Sequence, residues 1–400
     1  MRRQICGGCR STNLVEWLDL GSSPLANDYP KQPNTNLAQY PLGLVRCYRC
    51  TLVQSTDVVP DNELWNREYG FYTGGSWQVV EQQRDYAYEV MEKFSSLSDG
   101  LVVEVACNDG TMLKNFKEAG WRTLGVDPAR GPAAKAQAAG LDVIVEQFCS
   151  NVAEEIINQY GQASIIVANN VIAHVADLDD FIRGFRLLLQ PQGVAIVEFQ
   201  YVGDLITGNQ FDHVYHEHRS FFSLSSLRQA LARYGLEPVH VRQTNPQGGS
   251  LRVTIRHKSS PVDVSIWELL DNERWLEDPN CLAGMQGRAD RIRHRLVRLL
   301  HELKKQGKVV AGYGAPAKSA TLLNFCGIGP DLVQYIVDTT PAKQGRYTPG
   351  TNIPIINPES DSRAPDVYLL LNWNYLHSIR RKESSFMGEW LVPIPLPELA

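Results

Sequence analysis

The run Phe211-Asp212-His213-Val214-Tyr215-His216-Glu217-His218 gathers three imidazoles, one phenol and two carboxylates into eight residues. Tyr215 and His218 are three apart, and in a turn or the start of a helix such a pair shares a face. A neutral imidazole, with an ordinary pKa near ~6.5, can take a proton from carbon while a neighbouring phenol steadies the charge left behind. Three readings fit such a cluster: an acid–base site beside a cofactor, a metal site, or a solvated loop. The irregular histidine spacing and the lack of H-E-x-x-H count against metal. The position favours acid–base chemistry, because the cluster follows a strand at 193–199 by a loop long enough to fold over a sheet edge.

A second constellation is structural. Cys6-Gly7-Gly8-Cys9 and Cys47-Tyr48-Arg49-Cys50 are two C-x-x-C knuckles, and four thiolates complete the tetrahedron that structural zinc prefers. A redox dithiol would need one pair only, and four protein ligands leave no open position for zinc chemistry. Cys107, Cys149, Cys281 and Cys326 stand apart in apolar contexts and read as buried thiols.

The elements that position these groups must come from more than one domain, since 400 residues exceed a single compact core. With 43% apolar and 21% charged residues the chain is globular. A net charge of −5 and a pI near 6.0 argue against a nucleic-acid surface. No apolar run approaches the ~20 residues of a membrane span, and no hydrophobic stretch follows the basic start Met1-Arg2-Arg3. The expectation is a cytoplasmic protein whose cysteines are reduced or metal-bound.

Residues 1–70 are rich in turns, with short strand candidates at Leu42–Cys47 and Leu52–Gln54. A core this small leans on its metal. A helix is predicted over 76–95. From Leu101 strand and helix alternate: strands at 101–105, 122–127, 143–145, 164–168 and 193–199, helices at 111–119 and 132–139. Such βαβ repetition means a parallel, doubly wound sheet with ligands at the carboxyl ends of its strands. The helix over 288–305 carries Ile292, Leu296, Leu299, Leu300 and Leu303 on one face. It leads into a second α/β unit with strands at 309–315, 333–337 and 367–371.

Three strand ends carry polar motifs. Glu104, the turn Asn108-Asp109-Gly110 and Asp127 match the plan of a class I S-adenosylmethionine methyltransferase, in which the acid ending the second strand accepts from the ribose hydroxyls. The loop lacks the G-x-G-x-x-G that a dinucleotide requires. Asn169-Asn170-Val171-Ile172-Ala173-His174 ends the fourth strand, where His174 is either a reacting group or a packed histidine. Gly312-Tyr313-Gly314-Ala315-Pro316-Ala317-Lys318-Ser319 sits at a strand–helix junction and is either a phosphate cradle or a close-packing turn, with Asp338 ending the next strand.

Taken together, the four cysteines, Glu104–Gly110, Tyr215–His218 and Gly312–Thr321 resemble the nucleotide-sugar C-methyltransferases that act on 4-keto deoxysugars, most of all the C-3 methyltransferases of tetronitrose biosynthesis. The stretches Asn324–Leu332 and Asp338–Pro341 extend the resemblance end to end. It implies a small zinc-binding domain (1–72), a central class I, Rossmann-like methyltransferase sheet (73–285), and a smaller Rossmann-like α/β domain (286–400) that helps bind the sugar nucleotide. The implied activity is C-methylation of a nucleotide-linked 4-keto-deoxysugar by a monomer, through an enolate. Implied catalytic residues are His218 as base, Tyr215, Glu217 and His174. Glu104, Cys107, Asn108, Asp109, Asp127, Pro128 and Asn169 would hold the cofactor. Tyr72, Asn170, Lys318, Ser319, Asn324 and Asp338 would hold the substrate, and Cys6, Cys9, Cys47 and Cys50 the metal. Ala106 departs from the resemblance, standing where relatives usually have glycine, and His216 replaces an acid of some relatives. The competing readings are O- or N-methyl transfer to a sugar nucleotide or other small molecule, and a non-catalytic zinc-containing binding protein.

Overall fold

The structure, a computed structural model, describes residues 2–65, 72–75, 77–245, 248–360 and 364–400. The turn-rich amino-terminal sequence supports only short ladders: β1 (Leu14–Ser23), β2 (Tyr40–Cys47) and β3 (Val53–Ser55) pair antiparallel. β4 (Leu101–Val105), β5 (Arg122–Val126), β6 (Val143–Ile144), β7 (Ala163–Asn169) and β8 (Leu189–Gln200) then run parallel. Their near-continuous apolar runs suit strands covered on both faces, and every residue of β4 is buried. Helix Trp77–Lys93 packs on one face through Tyr86, Val90 and Phe94. The first residue of the helix expected over 76–95 lies outside the described residues.

The chain then leaves this sheet. β9 (Ser220–Phe221) pairs with β3, Val53 opposite Phe221, so the segment 201–219 bridges the two sheets. β10 (Leu236–Thr244) and β11 (Ser250–His257) return as an antiparallel edge, giving the seven-stranded order β10-β11-β8-β7-β4-β5-β6. The last sheet contains β12 (Val310–Tyr313), β13 (Ile336–Val337), β14 (Ile355–Ile356), β15 (Val367–Leu370), β16 (Glu389–Val392) and β17 (Glu398–Leu399). Its order is β14-β13-β12-β15-β16-β17, parallel except for β17. The architecture is the α/β one expected.

Two details differ from expectation. The strand expected over 333–337 is only two residues long, because Val333 N–H turns back to the Gly329 carbonyl at 3.0 Å. Cys149 and Cys281 are half-buried, whereas Cys107 and Cys326 are buried.

One apolar core spans sheets. Ile292, Leu296, Leu300 and Leu303 of helix Met285–Lys305 share one core with Leu18 and Leu44 of the first sheet, with Ile336 and Leu369 of the last, and with Leu322 of helix Ala317–Cys326. Each fully buried Leu or Ile contributes roughly 2 kcal/mol, enough over this set to tie the first and third sheets together. Among the described residues no helix is long and apolar enough to cross a membrane.

Candidate active site

Segment 211–218 is a single 3₁₀ turn, Phe211–His213, followed by a tight turn closed by His218 N–H on the Tyr215 carbonyl at 2.8 Å. This backbone sorts the cluster. Asp212, His213, His216 and Glu217 are buried, while Tyr215 and His218 are partly exposed side by side. The His218 Nδ1 lies 2.9 Å from the His213 carbonyl oxygen, an atom that only accepts, so Nδ1 carries the proton. The lone pair is therefore on Nε2, which accepts from the Tyr215 hydroxyl at 2.7 Å. Burial, with His174 nearby, pushes the His218 imidazole well below its usual range, leaving a neutral base.

His174 follows β7 and its ring lies 5.0 Å from that of His218. Its Nδ1 donates to the Glu217 carbonyl at 2.8 Å, and burial pushes its pKa down to about 4. The Glu217 carboxyl is buried and pushed up by that burial; one oxygen accepts from Asn27 Nδ2 at 3.1 Å. The other has no hydrogen-bond partner among the described residues.

The cofactor loop is set by backbone geometry. Ala106 (φ 58°), Asn108 (φ 52°) and Gly110 (φ 73°) all adopt left-handed conformations, turning the chain sharply after β4. Asp127 ties the loop down, accepting from Asn108 N–H at 2.8 Å and from Ala129 N–H at 2.7 Å. Asp109 accepts from Thr111 Oγ1 at 2.6 Å, Lys135 Nζ at 3.1 Å and Gly74 N–H at 3.1 Å. The Asn108 side chain accepts from Thr73 N–H at 2.8 Å, so residues 72–75 cap the loop. Tyr72 sits there too, with Lys135 Nζ 5.4 Å from its ring centroid. Two buried polar atoms at the carboxyl ends of adjacent strands, Glu104 Oε2 and Asn169 Oδ1, lack partners among the described residues. Buried polar groups are rarely left so, and donors of a bound S-adenosylmethionine fit them. Burial, reinforced by Asp127 and Asp109, pushes Glu104 well above the carboxylate range. Cys107 is buried, its thiol pushed up by burial, and Pro128 is exposed.

The four cysteines converge: their sulfurs all lie within 4.8 Å of one another, with Cys6–Cys50 at 3.4 Å and Cys9–Cys47 at 3.5 Å. Ligands about 2.3 Å from one zinc ion would stand at such separations. Gly8 N–H and Gln54 Nε2 both donate to Cys6 Sγ, at 3.3 and 3.4 Å, a second shell suited to a thiolate. The set fits structural zinc.

The residues expected at the substrate divide. Asn170 (φ 53°) directly follows β7 on the cofactor edge, its N–H on the Glu198 carbonyl at 2.7 Å. Lys318, expected at a phosphate, is buried and donates to Asn374 Oδ1 at 2.8 Å beside Asp212. Ser319 Oγ donates to the Pro316 carbonyl at 2.6 Å, and Asn324 Nδ2 to the Ala320 and Pro349 carbonyls at 2.7 and 2.9 Å. Asp338 accepts from Ala315 N–H and Thr340 N–H, both at 2.7 Å. Two neighbours of the site lie outside the sequence-based set: Asn27, on Glu217, and Trp65, whose ring lies 6.1 Å from that of His174. Neither belongs to a run of titratable groups, so nothing local marks them.

Known proteins match along the chain. A zinc binding domain family matches residues 6–65, a methyltransferase domain family residues 80–241, and a C-methyltransferase C-terminal domain family residues 245–395. The C-methyltransferase NovU of Streptomyces niveus is 34% identical over 404 residues, 98% of this chain and 96% of that relative. The ubiquinone biosynthesis O-methyltransferase of Rhodopseudomonas palustris strain HaA2 is 28% identical over 120 residues, 28% of this chain and 47% of its own length. Among solved structures, PH0226 of Pyrococcus horikoshii OT3 covers 48% of this chain and 98% of itself at 16% identity, with a TM-score of 0.39. Magnesium protoporphyrin IX methyltransferase of Synechocystis PCC 6803 covers 50% of this chain and 92% of itself at 14% identity, with a TM-score of 0.36.

Proposed function

This chain belongs to the C-methyltransferases, is S-adenosylmethionine-dependent and carries a structural zinc site; from that premise we propose that it methylates a carbon, probed first as C-3, of a nucleotide-linked 4-keto-deoxysugar. The observation that carries this reading is the pairing of Tyr215 and His218. It is a neutral base of fixed tautomer whose Nε2 lies 2.7 Å from a phenol oxygen, both side chains partly exposed.

A carbon beside a ketone loses a proton to such a base once the oxygen is stabilised. On substrate binding the Tyr215 hydroxyl turns from His218 to the ketone oxygen, freeing Nε2 for the C–H proton. The C–H electrons pass into the enolate, whose oxygen Tyr215 holds. S-adenosylmethionine, bound by the loop that Glu104, Cys107, Asn108, Asp109, Asp127 and Pro128 shape and by Asn169, supplies an electrophilic methyl group. The enolate carbon would form the new C–C bond as the methyl–sulfur bond breaks, its electron pair staying on sulfur so that S-adenosylhomocysteine leaves, a transfer aided mainly by proximity. His218 then releases its proton to solvent.

His174 keeps the Glu217 carbonyl in place, and the buried Glu217 carboxyl presents its unpartnered oxygen to a substrate hydroxyl. Tyr72 and Asn170 line the sugar end of the cleft. Ser319 and Asp338 shape the turn after β12 and Asn324 braces the helix that follows it, the side of this domain on which the nucleotide would bind. In this reading residues 1–72, 73–285 and 286–400 act as three domains of a cytoplasmic monomer.

The test uses a panel of dTDP-, GDP- and CDP-4-keto-6-deoxysugars in deuterated water with methyl-labelled S-adenosylmethionine. Label on a ring carbon, and deuterium exchange at that carbon reduced about 10²–10⁴-fold in His218→Ala, are expected. Label on oxygen or nitrogen, or normal exchange in the variant, would overturn it.

A further inference from the structure

The mechanism leaves a buried ion pair without a task. Helix Ala317–Cys326 of the carboxyl-terminal sheet presents Lys318, Thr321 and Phe325, spaced i, i+3 and i+7, to the segment that carries the base. Thr321 Oγ1 donates to the Val214 carbonyl at 2.8 Å, and the Phe325 ring lies 5.2 Å from that of Phe211. Lys318 Nζ stands 3.8 Å from Asp212 Oδ2 and 3.9 Å from the centroid of Trp373. The Trp373 indole donates to the same Asp212 oxygen at 2.7 Å, and its ring packs edge-on to His213 at 5.9 Å. His213 is the residue whose carbonyl fixes the His218 tautomer, at 2.9 Å.

We propose that Lys318 is a positioning residue, its ammonium acting through Asp212 and the His213 carbonyl to fix the tautomer and aim of His218. The inference rests on the reading of His218 as base and deepens it. Its side chain is 6% exposed, enclosed by Asp212, Asn374 and Trp373, so the ammonium is already partnered within the protein. A buried pair of this kind is weak as a source of stability but strong as a constraint. Removing the cation alone leaves Asp212 buried and uncompensated. The 3₁₀ turn would then shift to hydrate it, taking the His213 carbonyl away from His218 Nδ1. A displacement of about 1 Å at a reacting group costs roughly 10²-fold. Removing both charges relieves that strain, because Thr321 and Trp373 still hold the turn.

The experiment compares Lys318→Met with the double variant Asp212→Asn/Lys318→Met. Deuterium exchange is read on the sugar nucleotide that the panel identifies, dTDP affinity is read by titration, and the His218 tautomer by ¹⁵N shifts in histidine-labelled protein. Lys318→Met should lower kcat for exchange about 10²-fold with dTDP affinity unchanged. It should also scramble the Nδ1–H signal, and the double variant should recover most of both. Loss confined to KM or dTDP affinity would make Lys318 a phosphate ligand instead. A fall in kcat with an intact tautomer signal and no recovery in the double variant would make it merely structural. His218→Ala run alongside separates the readings: exchange surviving there defeats the base assignment, whereas exchange lost there and normal in Lys318→Met defeats only this one.

Discussion

The turns after β4 and after β12 are the same device put to different ends. In each, the first residue past the strand has positive φ, Ala106 at 58° and Gly314 at 77°. Each donates its N–H to the last residue of the next strand, to Val126 at 2.7 Å and Val337 at 2.8 Å. In each, the acid after that strand accepts from the turn and from its own residue two on: Asp127 from Asn108 and Ala129, Asp338 from Ala315 and Thr340. The filling differs. Beside the first turn Glu104 and Asn169 keep unpartnered oxygens for a ligand, whereas the Ala315 carbonyl of the second takes Tyr29 Oη at 2.7 Å and Lys343 Nζ at 2.8 Å. Unpartnered polar atoms stand at the first turn, and two protein donors occupy the carbonyl at the second. The backbone plan alone does not decide which; side chains from distant segments do.

The Tyr29 donor and the turn that carries His218 both depend on the zinc-bearing sheet, Tyr29 from the loop between β1 and β2 and segment 211–218 through β9, while the first turn does not. Stripping the metal is therefore the most drastic way to separate the two. Structural zinc contributes apparent energies of about 10–16 kcal/mol in small domains. Chelation should abolish turnover and melt the first sheet by circular dichroism, while S-adenosylhomocysteine affinity by titration falls far less. Equal loss of both would mean the turns are not independent.

Next in size is the exchange of the two acids. Asp127→Ala should weaken S-adenosylhomocysteine about 10–100-fold, the cost of about 1.5–3 kcal/mol for losing a charged acceptor. Asp338→Ala should leave that affinity unchanged while lowering the unfolding midpoint. Matching effects on affinity would break the comparison.

Neither turn carries a histidine; His174, His213, His216 and His218 lie on the segments between them, all pushed below the usual imidazole range, chiefly by burial. The sign follows directly. Below about pH 6.5 the unfolded chain binds protons that the folded chain refuses, so this stabilisation is present above that pH and is lost as pH falls. His216→Asn should flatten the acid limb of unfolding free energy just below pH 6.5, by at most one proton or about 1.4 kcal/mol per pH unit, measured by urea titration at several pH values. An unchanged slope would show that His216 is not held neutral.

Most of the fold is legible in the sequence because β4, β7 and the middle of β8 are largely apolar runs, β5 ends in one, and the cysteines have metal spacing. The helices Ser150–Tyr160 and Leu178–Leu188 and the edge pair β10–β11 carry periodicity too, yet are not among the sequence-based elements. β9 could not have been found that way, since two residues define it only through their partner β3. For the site, the shared face of Tyr215 and His218 was readable from spacing, and the turn delivers it. The surroundings of Lys318 were not: a lysine after Gly-x-Gly-Ala-Pro suggests phosphate, and only tertiary packing brings it against Asp212.

The smallest effect tests whether the turns share one backbone. At Ala106 a left-handed conformation costs an L-residue about 1–2 kcal/mol, and glycine removes that cost while adding about 0.5–1 kcal/mol of unfolded-chain entropy. Ala106→Gly should therefore raise stability by about 0.5–1 kcal/mol, seen as a higher unfolding midpoint, with S-adenosylhomocysteine affinity kept. At the equivalent Gly314 the reverse change has no room: a Cβ would stand 2.1 Å from Asn372 Nδ2. Gly314→Ala should be the destabilising member of the pair. If Ala106→Gly instead lowers the midpoint, the left-handed geometry of the first turn is maintained by the alanine methyl itself, and the two turns agree in outline but not in what holds them.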